Sequence, residues 1–265
     1  MAKKGELGRV WDYIVNTQVW RSIMRHGYPS TPRNRSLAVL ANLVLHLHPI
    51  RLRKSGLRVR YTWCMGGLTF FLFLELTITG LLLMFYYRPT AEYAYNDITY
   101  LRADVALGIM RELHRWGAHA MVITVWLHMM RVFMTGAYKP PREFNWSIGV
   151  ILLVLTLLLS FTGYLLPWDQ LAIWAVTVGT NMARATPLMG HEGPLAAALA
   201  LPGDVKLVTV SSDVRFALLG GTLVGPSTLL RFYVLHCIFI PLVAAVLMAV
   251  HFWRVRKDGG ISGPM

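Results

Sequence analysis

Four histidines in this chain are spaced so that they could hold metal. His114 and His128 lie 14 residues apart in "RELHRWGAHAMVITVWLHMMR", and His236 and His251 lie 15 apart in a second apolar stretch. On an α-helix 14 steps return to within about 40° of the starting face and 15 to within about 60°, so each pair keeps one face, and the rise between partners is about 21 Å. Histidine in an apolar segment is costly unless something uses its nitrogens. If the two helices run in the same direction, His114 is level with His236 and His128 with His251. Two imidazoles facing each other inside a helix bundle suit the axial positions of a haem iron. The spacing thus predicts two bis-histidine b-type haem sites, at two depths. His119 is five residues from His114, about 140° around the helix, and is expected to face away from the stripe, on a hydrogen bond to a neighbouring helix or in contact with a haem edge.

Glycines repeat the rhythm. Gly66 and Gly80 are 14 apart, as are Gly149 and Gly163. A flat porphyrin approaching a helix needs positions without a Cβ; packing of helices through small residues is the other reading. Arginines lie beside the histidines: Arg111 and Arg115 by His114, Arg131 by His128 with Arg142 in the loop beyond, and Arg254 and Arg256 by His251. They are candidates for haem propionates or a quinone, or they snorkel to phospholipid. Glu75 is an acid within an apolar run. It reads as a protonated buried carboxyl, a hydrogen-bond partner or a proton-handling group. Two cysteines, Cys64 and Cys237, make no disulfide framework.

These residues require membrane-spanning helices. The chain has 265 residues, 55% apolar and 15% charged, against about 25% charged in soluble domains. Four apolar runs, 62–85, 113–136, 147–166 and 231–252, reach the roughly 20 residues that span a bilayer. They show no alternation, which excludes barrel strands. The net charge of +13 is unevenly placed: residues 1–62 carry twelve Lys or Arg, 131–146 three and 254–257 three. With four helices these segments share one side, so the charge is topology and not a nucleic-acid surface, and that side is the cytoplasm or its equivalent. Acids such as Asp97, Asp169, Glu192 and Asp213 fall in the opposite loops. His114 and His236 then lie on the acidic side and His128 and His251 on the basic side. Residues 7–26 read as an amphipathic interfacial helix, 27–36 as a linker and 37–49 as a short non-spanning stretch with His46 and His48 at the interface. The expected organisation is an amphipathic and basic region over 1–61, a four-helix haem-binding transmembrane domain over 62–253 and a tail over 254–265. The long loop 167–229 contains one surface helix in "LPWDQLAIWAVTVGTNMA". No cleavable signal is evident in residues 1–30.

The segments "CMGGLTFF", "FYYRPT", "LHRW", "WLHMMRVFMTGAYKPPREFNW", "FTGYLLPWDQLAIWAV", "STLLRFYVLH" and "HFWRVRKDGGISGP" together resemble the N-terminal four-helix part of the cytochrome b family of bc and b6f complexes. The form resembled is b6-type, over roughly residues 57–193 and 222–265. The resemblance implies an all-α four-helix bundle with two stacked haems in a quinol-oxidising oxidoreductase that is not complete in this chain alone. It implies electron passage across the membrane between quinone sites, coupled to proton translocation. It also implies an extra c-type haem held through one thioether by Cys64, beside a quinone near Arg256; without a C-x-x-C-H motif, ordinary attachment is excluded. The quinol-oxidation motif Pro-Glu-Trp-Tyr is absent and belongs to a second polypeptide carrying the C-terminal helices. Other implied partners are a Rieske iron–sulfur protein, a c-type cytochrome or plastocyanin-type acceptor, and a second copy of the complex. Residues of about 194–221 and those before Arg51 depart from the family pattern. From the residues alone, a di-haem membrane anchor for a dehydrogenase and a transporter with buried histidines are rival readings.

Overall fold

The computed structural model describes residues 6–23, 30–40, 63–196, 200–201 and 205–260. Among these residues four helices are long and apolar enough to cross a membrane: Met65–Met84, Ile109–Met134, Glu143–Leu165 and Pro226–Asp258. In chain order α1 is Glu6–Asn16, α2 Gln18–Ile23 and α3 Pro32–Leu40, before the first span α4, Met65–Met84. Then come α5 (Ala94–Ala103), the second span α6 (Ile109–Met134), the third span α7 (Glu143–Leu165) and α8 (Gln170–Ala183). A two-residue antiparallel ladder pairs β1 (Ala200–Leu201) with β2 (Val205–Lys206). After α9 (Val214–Leu219), the fourth span is built from α10 (Pro226–Val234), a π-helical turn over Leu235–Phe239 and α11 (Ile240–Asp258).

The spans stay helical because hydrocarbon offers the backbone no other hydrogen-bond partner. Their hydroxyls turn inward on the helix itself: Thr69 donates to the Met65 carbonyl at 2.8 Å and Thr77 to that of Phe73 at 2.7 Å. Large apolar side chains such as Phe71, Ile78, Ile123, Trp126, Leu157 and Leu242 stand exposed, as a lipid-facing surface requires.

Packing divides the chain into two compact units, and each span contributes one segment to each. One unit comprises residues 1–70, 123–154 and 244–265, the other 71–122 and 155–243. The second holds an apolar core of Tyr87, Leu101, Leu165, Val176, Leu219, Leu229 and Phe232. Several conspicuous motifs fasten this core. Tyr87 of "FYYRPT" donates to the Leu166 carbonyl at 2.7 Å. Asp169 of "PWDQ" accepts from Ala172 N at 2.8 Å and so caps α8. Asp213 likewise caps α9 through Phe216 N at 2.7 Å and also accepts from His191. α8 is the surface helix expected in the long loop.

Arg88 and Asp97 tie the exit of α4 to α5. The Arg88 backbone N–H, Nε and Nη2 all reach the buried Asp97 carboxylate, at 2.9, 3.0 and 2.6 Å. The Arg88 side-chain hydrogen bond holds Asp97 below its ordinary value, against the opposing effect of burial. The stability this adds is present above the unfolded carboxylate pKa, about 3.9, and is lost as pH falls through the lower folded value. Asp97→Asn should therefore flatten the acid limb of thermal midpoint against pH for the detergent-solubilised protein. An acid limb identical to wild type would count against this role.

The expected helix over 7–26 is two helices, α1 and α2, parted at Thr17, with Leu7, Val10, Trp11 and Ile14 exposed along one face of α1 and Trp11 edge-on to Trp20 at 5.3 Å. The expected linker over 27–36 is instead partly helical. Thr31 accepts from Asn34 N at 3.1 Å, and Pro32 supplies a preset φ at the first helical position. The apolar stretch past Leu40, with His46 and His48, lies outside the described residues.

Candidate metal centres

Each compact unit contains one histidine pair. In one, His114 and His236 have ring centroids 6.1 Å apart with planes at 78°. In the other, His128 and His251 are 6.3 Å apart at 82°. A metal bound to a nitrogen of each ring at about 2.0–2.1 Å needs centroids roughly 6.4 Å apart once each ring's own radius is added. Both separations lie close to that value. Among the described residues no third His, Cys, Asp or Glu joins either pair to make a metal-binding group. A bare ion would be left with two donors, whereas a metal that brings its own equatorial ring needs two and no more.

In the His114/His236 pair the outer nitrogens are engaged in a way that fixes the inner ones. Thr79 donates its hydroxyl to the Glu75 carbonyl at 2.8 Å, leaving its oxygen to accept from His114 Nδ1 at 2.9 Å. His236 Nδ1 donates to the Leu159 carbonyl at 3.0 Å, with Thr162 Oγ1 at 3.3 Å. With the proton on Nδ1, Nε2 carries the lone pair a metal takes. His251 Nδ1 is buried and faces the Asn145 backbone too loosely to close a hydrogen bond.

The 15-residue interval from His236 to His251 has a local cause. His236 sits within the π-helical turn, where Ile240 N bonds the Leu235 carbonyl. Such a turn absorbs one extra residue, so the interval behaves as 14 and matches the other three. Sequence reasoning missed this. The odd interval was its only signal.

The four glycines face the histidines themselves. A Cβ on Gly80 would lie 3.2 Å from His114 Cε1, on Gly163 2.6 Å from His236 Cε1, on Gly66 3.4 Å from His128 Cε1 and on Gly149 3.8 Å from His251 Cε1. Glycines of the first span thus seat histidines of the second, and those of the third seat histidines of the fourth. The gaps expected for a porphyrin are occupied by imidazole edges.

His119 is exposed and apart from both pairs; its Nδ1 is on the Arg115 carbonyl of its own helix at 2.7 Å, not on a neighbouring helix, and its ring lies beside Trp116 at 5.5 Å. The arginines have protein partners. Arg111 and Arg115 both engage Glu112, at 2.7 and 2.6 Å. Arg131 lies over the Trp63 ring at 5.0 Å. Arg142 Nε reaches the Asp258 carbonyl at 3.4 Å, and Arg254 makes a fully buried ion pair with Asp258 at 2.7 Å. Arg256 is half-buried.

Cys64 is exposed and lies in the same unit as His128 and His251. Trp63 and Cys64 both have left-handed backbones, φ 56° and 52°, which costs about 1–2 kcal/mol per residue. That turn starts α4, where Leu68 N bonds the Cys64 carbonyl at 2.8 Å. It places the Cys64 Sγ 3.0 Å from where a Cβ of Gly67 would lie, beside Gly66. Cys237 is half-buried.

Residues 52–196 match a family model described as cytochrome b/b6/petB. The chain is 43% identical to cytochrome b6 of Tupiella akineta over 208 residues, 78% of this chain and 86% of that protein. It is 36% identical to the menaquinol:cytochrome c reductase cytochrome b subunit of Bacillus subtilis (strain 168) over 264 residues, 98% of this chain and 100% of that one. Among solved structures it resembles a chain of a hyperthermophilic respiratory Complex III, with TM-score 0.64 and 27% identity over 96% of this chain; it spans 56% of that chain's length.

Proposed function

The chain belongs to the cytochrome b/b6 family, and from that premise we propose that its two histidine pairs hold two b-type haems. It is a b6-type cytochrome b, an integral membrane electron-transport protein of the quinol-oxidising bc/b6f class of complexes. The observation that carries the haem reading is the pair of centroid separations, 6.1 and 6.3 Å, with no further protein ligand at either pair among the described residues.

Bound haem would supply one-electron chemistry that protein side chains lack. The chain's own residues do the rest. His114 and His236 present Nε2 because Thr79 and Leu159 occupy Nδ1. Gly80 and Gly163 let those imidazoles lie against the neighbouring helix. His128 and His251 do the same against Gly66 and Gly149. The apolar walls exclude water and keep the site at low dielectric.

The basic segments are assigned to the cytoplasmic side of a bacterial inner membrane, or its thylakoid-type equivalent, with both termini there. The Bacillus subtilis relative is named for menaquinol and cytochrome c; by that likeness this chain serves a quinol donor and a c-type cytochrome acceptor. A Rieske iron–sulfur protein, a second polypeptide with the remaining helices and a second copy of the complex complete the assembly. Arg256 is assigned to a quinone or a haem propionate, and Arg111, Arg115, Arg131 and Arg142 to propionates by rearranging from their present partners.

Cys64 is assigned one thioether to an additional c-type haem. Its support is an exposed thiol at the mouth of the first span, next to the glycine that seats His128. Acid–acetone extraction of the purified holocomplex, followed by intact mass of this chain, tests both assignments. Two haems should leave, one haem mass should remain on the polypeptide, and Cys64→Ala should lose that mass. A bare wild-type chain would overturn the Cys64 assignment. A preparation without a reduced b-type absorption band would overturn the haem reading altogether.

A further inference from the structure

Glu75 is the only titratable residue in Met65–Met84. Both its carboxylate oxygens are buried and neither has a hydrogen-bond partner among the described residues. The carboxyl rests on the second span at Gly117, where any side chain would collide with Glu75 Oε2. The second span thus leaves a gap for an acid and offers it nothing to bond. An ionised carboxylate so placed is strongly disfavoured unless a positive charge stands close by.

The charged and titratable groups of the second span around Gly117 are already committed. Arg111 and Arg115 are both on Glu112. His119 is on the Arg115 carbonyl. His114 is bonded to Thr79, whose hydroxyl is bonded in turn to the Glu75 carbonyl. Glu75 is therefore one helical turn from the hydrogen-bond partner of His114, and its carboxyl packs one turn from His114 itself. A haem held by His114 and His236, as proposed above, would bring the one charge in this neighbourhood that changes with redox state. A ferric bis-imidazole haem has one positive charge on its iron–porphyrin core, and a ferrous one has none.

We propose that Glu75 is the proton-coupling group of the His114/His236 centre: its carboxylate balances the oxidised centre, and it takes up one proton when that centre gains an electron. The electron is the one the complex draws from quinol. The proton comes from water, forms the O–H bond of the Glu75 carboxylic acid, and is released again when the electron leaves. Net charge around the site is the same before and after, which the low dielectric favours. The bare carboxyl and the gap at Gly117 follow from this role, because a fixed hydrogen bond or ion pair would hold Glu75 in one protonation state. The inference rests on the haem reading above.

Redox titration of the purified holocomplex at several pH values, read from the b-haem absorption bands, tests it. The wave belonging to His114 is identified as the one that His114→Ala removes. In wild type each pH unit should change the oxidised-to-reduced ratio of that wave at fixed potential by up to tenfold, or about 59 mV for one electron. Glu75→Gln should flatten that dependence and leave the other wave unchanged. Glu75→Asp should keep it. A wild-type infrared difference spectrum, reduced minus oxidised, should gain a protonated-carboxyl band that Glu75→Gln lacks. If Glu75→Gln does not assemble, the band in wild type and its shift in Glu75→Asp decide the matter. A Glu75→Gln wave with wild-type pH dependence, or a wild-type spectrum without the band, would overturn the proposal while leaving the haems in place. An absence of both haem waves would instead remove the reading beneath it.

Discussion

Replacing His128 or His251 by alanine should remove one and the same b haem, and replacing His114 or His236 should remove the other. Each single variant is expected to halve the extractable non-covalent haem, and the double variant His128→Ala/His251→Ala should lose no more than either single one. The reason is the ligand count. Each pair supplies two nitrogens across 6.1 or 6.3 Å, and among the described residues no other His, Cys, Asp or Glu stands by to replace a lost one. The three-histidine segment gives the internal control. His119→Ala should keep both haems, since that ring is exposed and bonded to the Arg115 carbonyl. Loss of both haems from a single pair variant, or of either from His119→Ala, would break the assignment. Optical spectra and pyridine-haemochrome content of the purified variants provide the measurement.

Why was so much of this site visible in a linear sequence? Helical period is a property of the chain, so the 14-residue recurrence of His114 and His128 needed no tertiary information. The same holds for Gly66 with Gly80 and Gly149 with Gly163. Side-chain direction at His119 followed from the same arithmetic. What stayed hidden was set by contacts. The π-helical turn at Leu235–Phe239 removes the extra residue before His251, yet nothing in "LHCIF" marks it locally. The glycines were legible as gaps, but their occupant was not: the imidazole edges fill them. Long cationic side chains choose partners that only folding brings near. Arg111 and Arg115 converge on Glu112, and Arg254 is wholly buried with Asp258, where a spacing argument sees only basic residues near histidines. Thr79 and Leu159, which set the imidazole tautomers, gave no sequence signal, because a threonine on an apolar helix most often bonds its own backbone.

The glycine substitutions should damage the haem sites in an order set by distance to the imidazoles. Gly163→Ala is expected to be the most severe, because its Cβ would stand 2.6 Å from His236 Cε1 and 3.1 Å from Nδ1. Relief requires the ring to move by most of an ångström. That movement breaks the 3.0 Å bond from Nδ1 to the Leu159 carbonyl, the bond that orients the ring. Overpacking of this kind costs about 1–3 kcal/mol in a rigid core, and the ring held from both ends is not free to yield. Gly80→Ala, at 3.2 Å from His114 Cε1, should be intermediate. Gly66→Ala at 3.4 Å should be mild, and Gly149→Ala, at 3.8 Å, close to wild type. Haem content after purification, and the temperature at which each b band is lost, give the ranking. The order separates two roles for these glycines. If they served only the close packing of helices, their variants would lose assembly as a whole, with both haems affected together. If they seat imidazoles, Gly163→Ala and Gly80→Ala lose the haem that His236→Ala and His114→Ala lose, and retain the other.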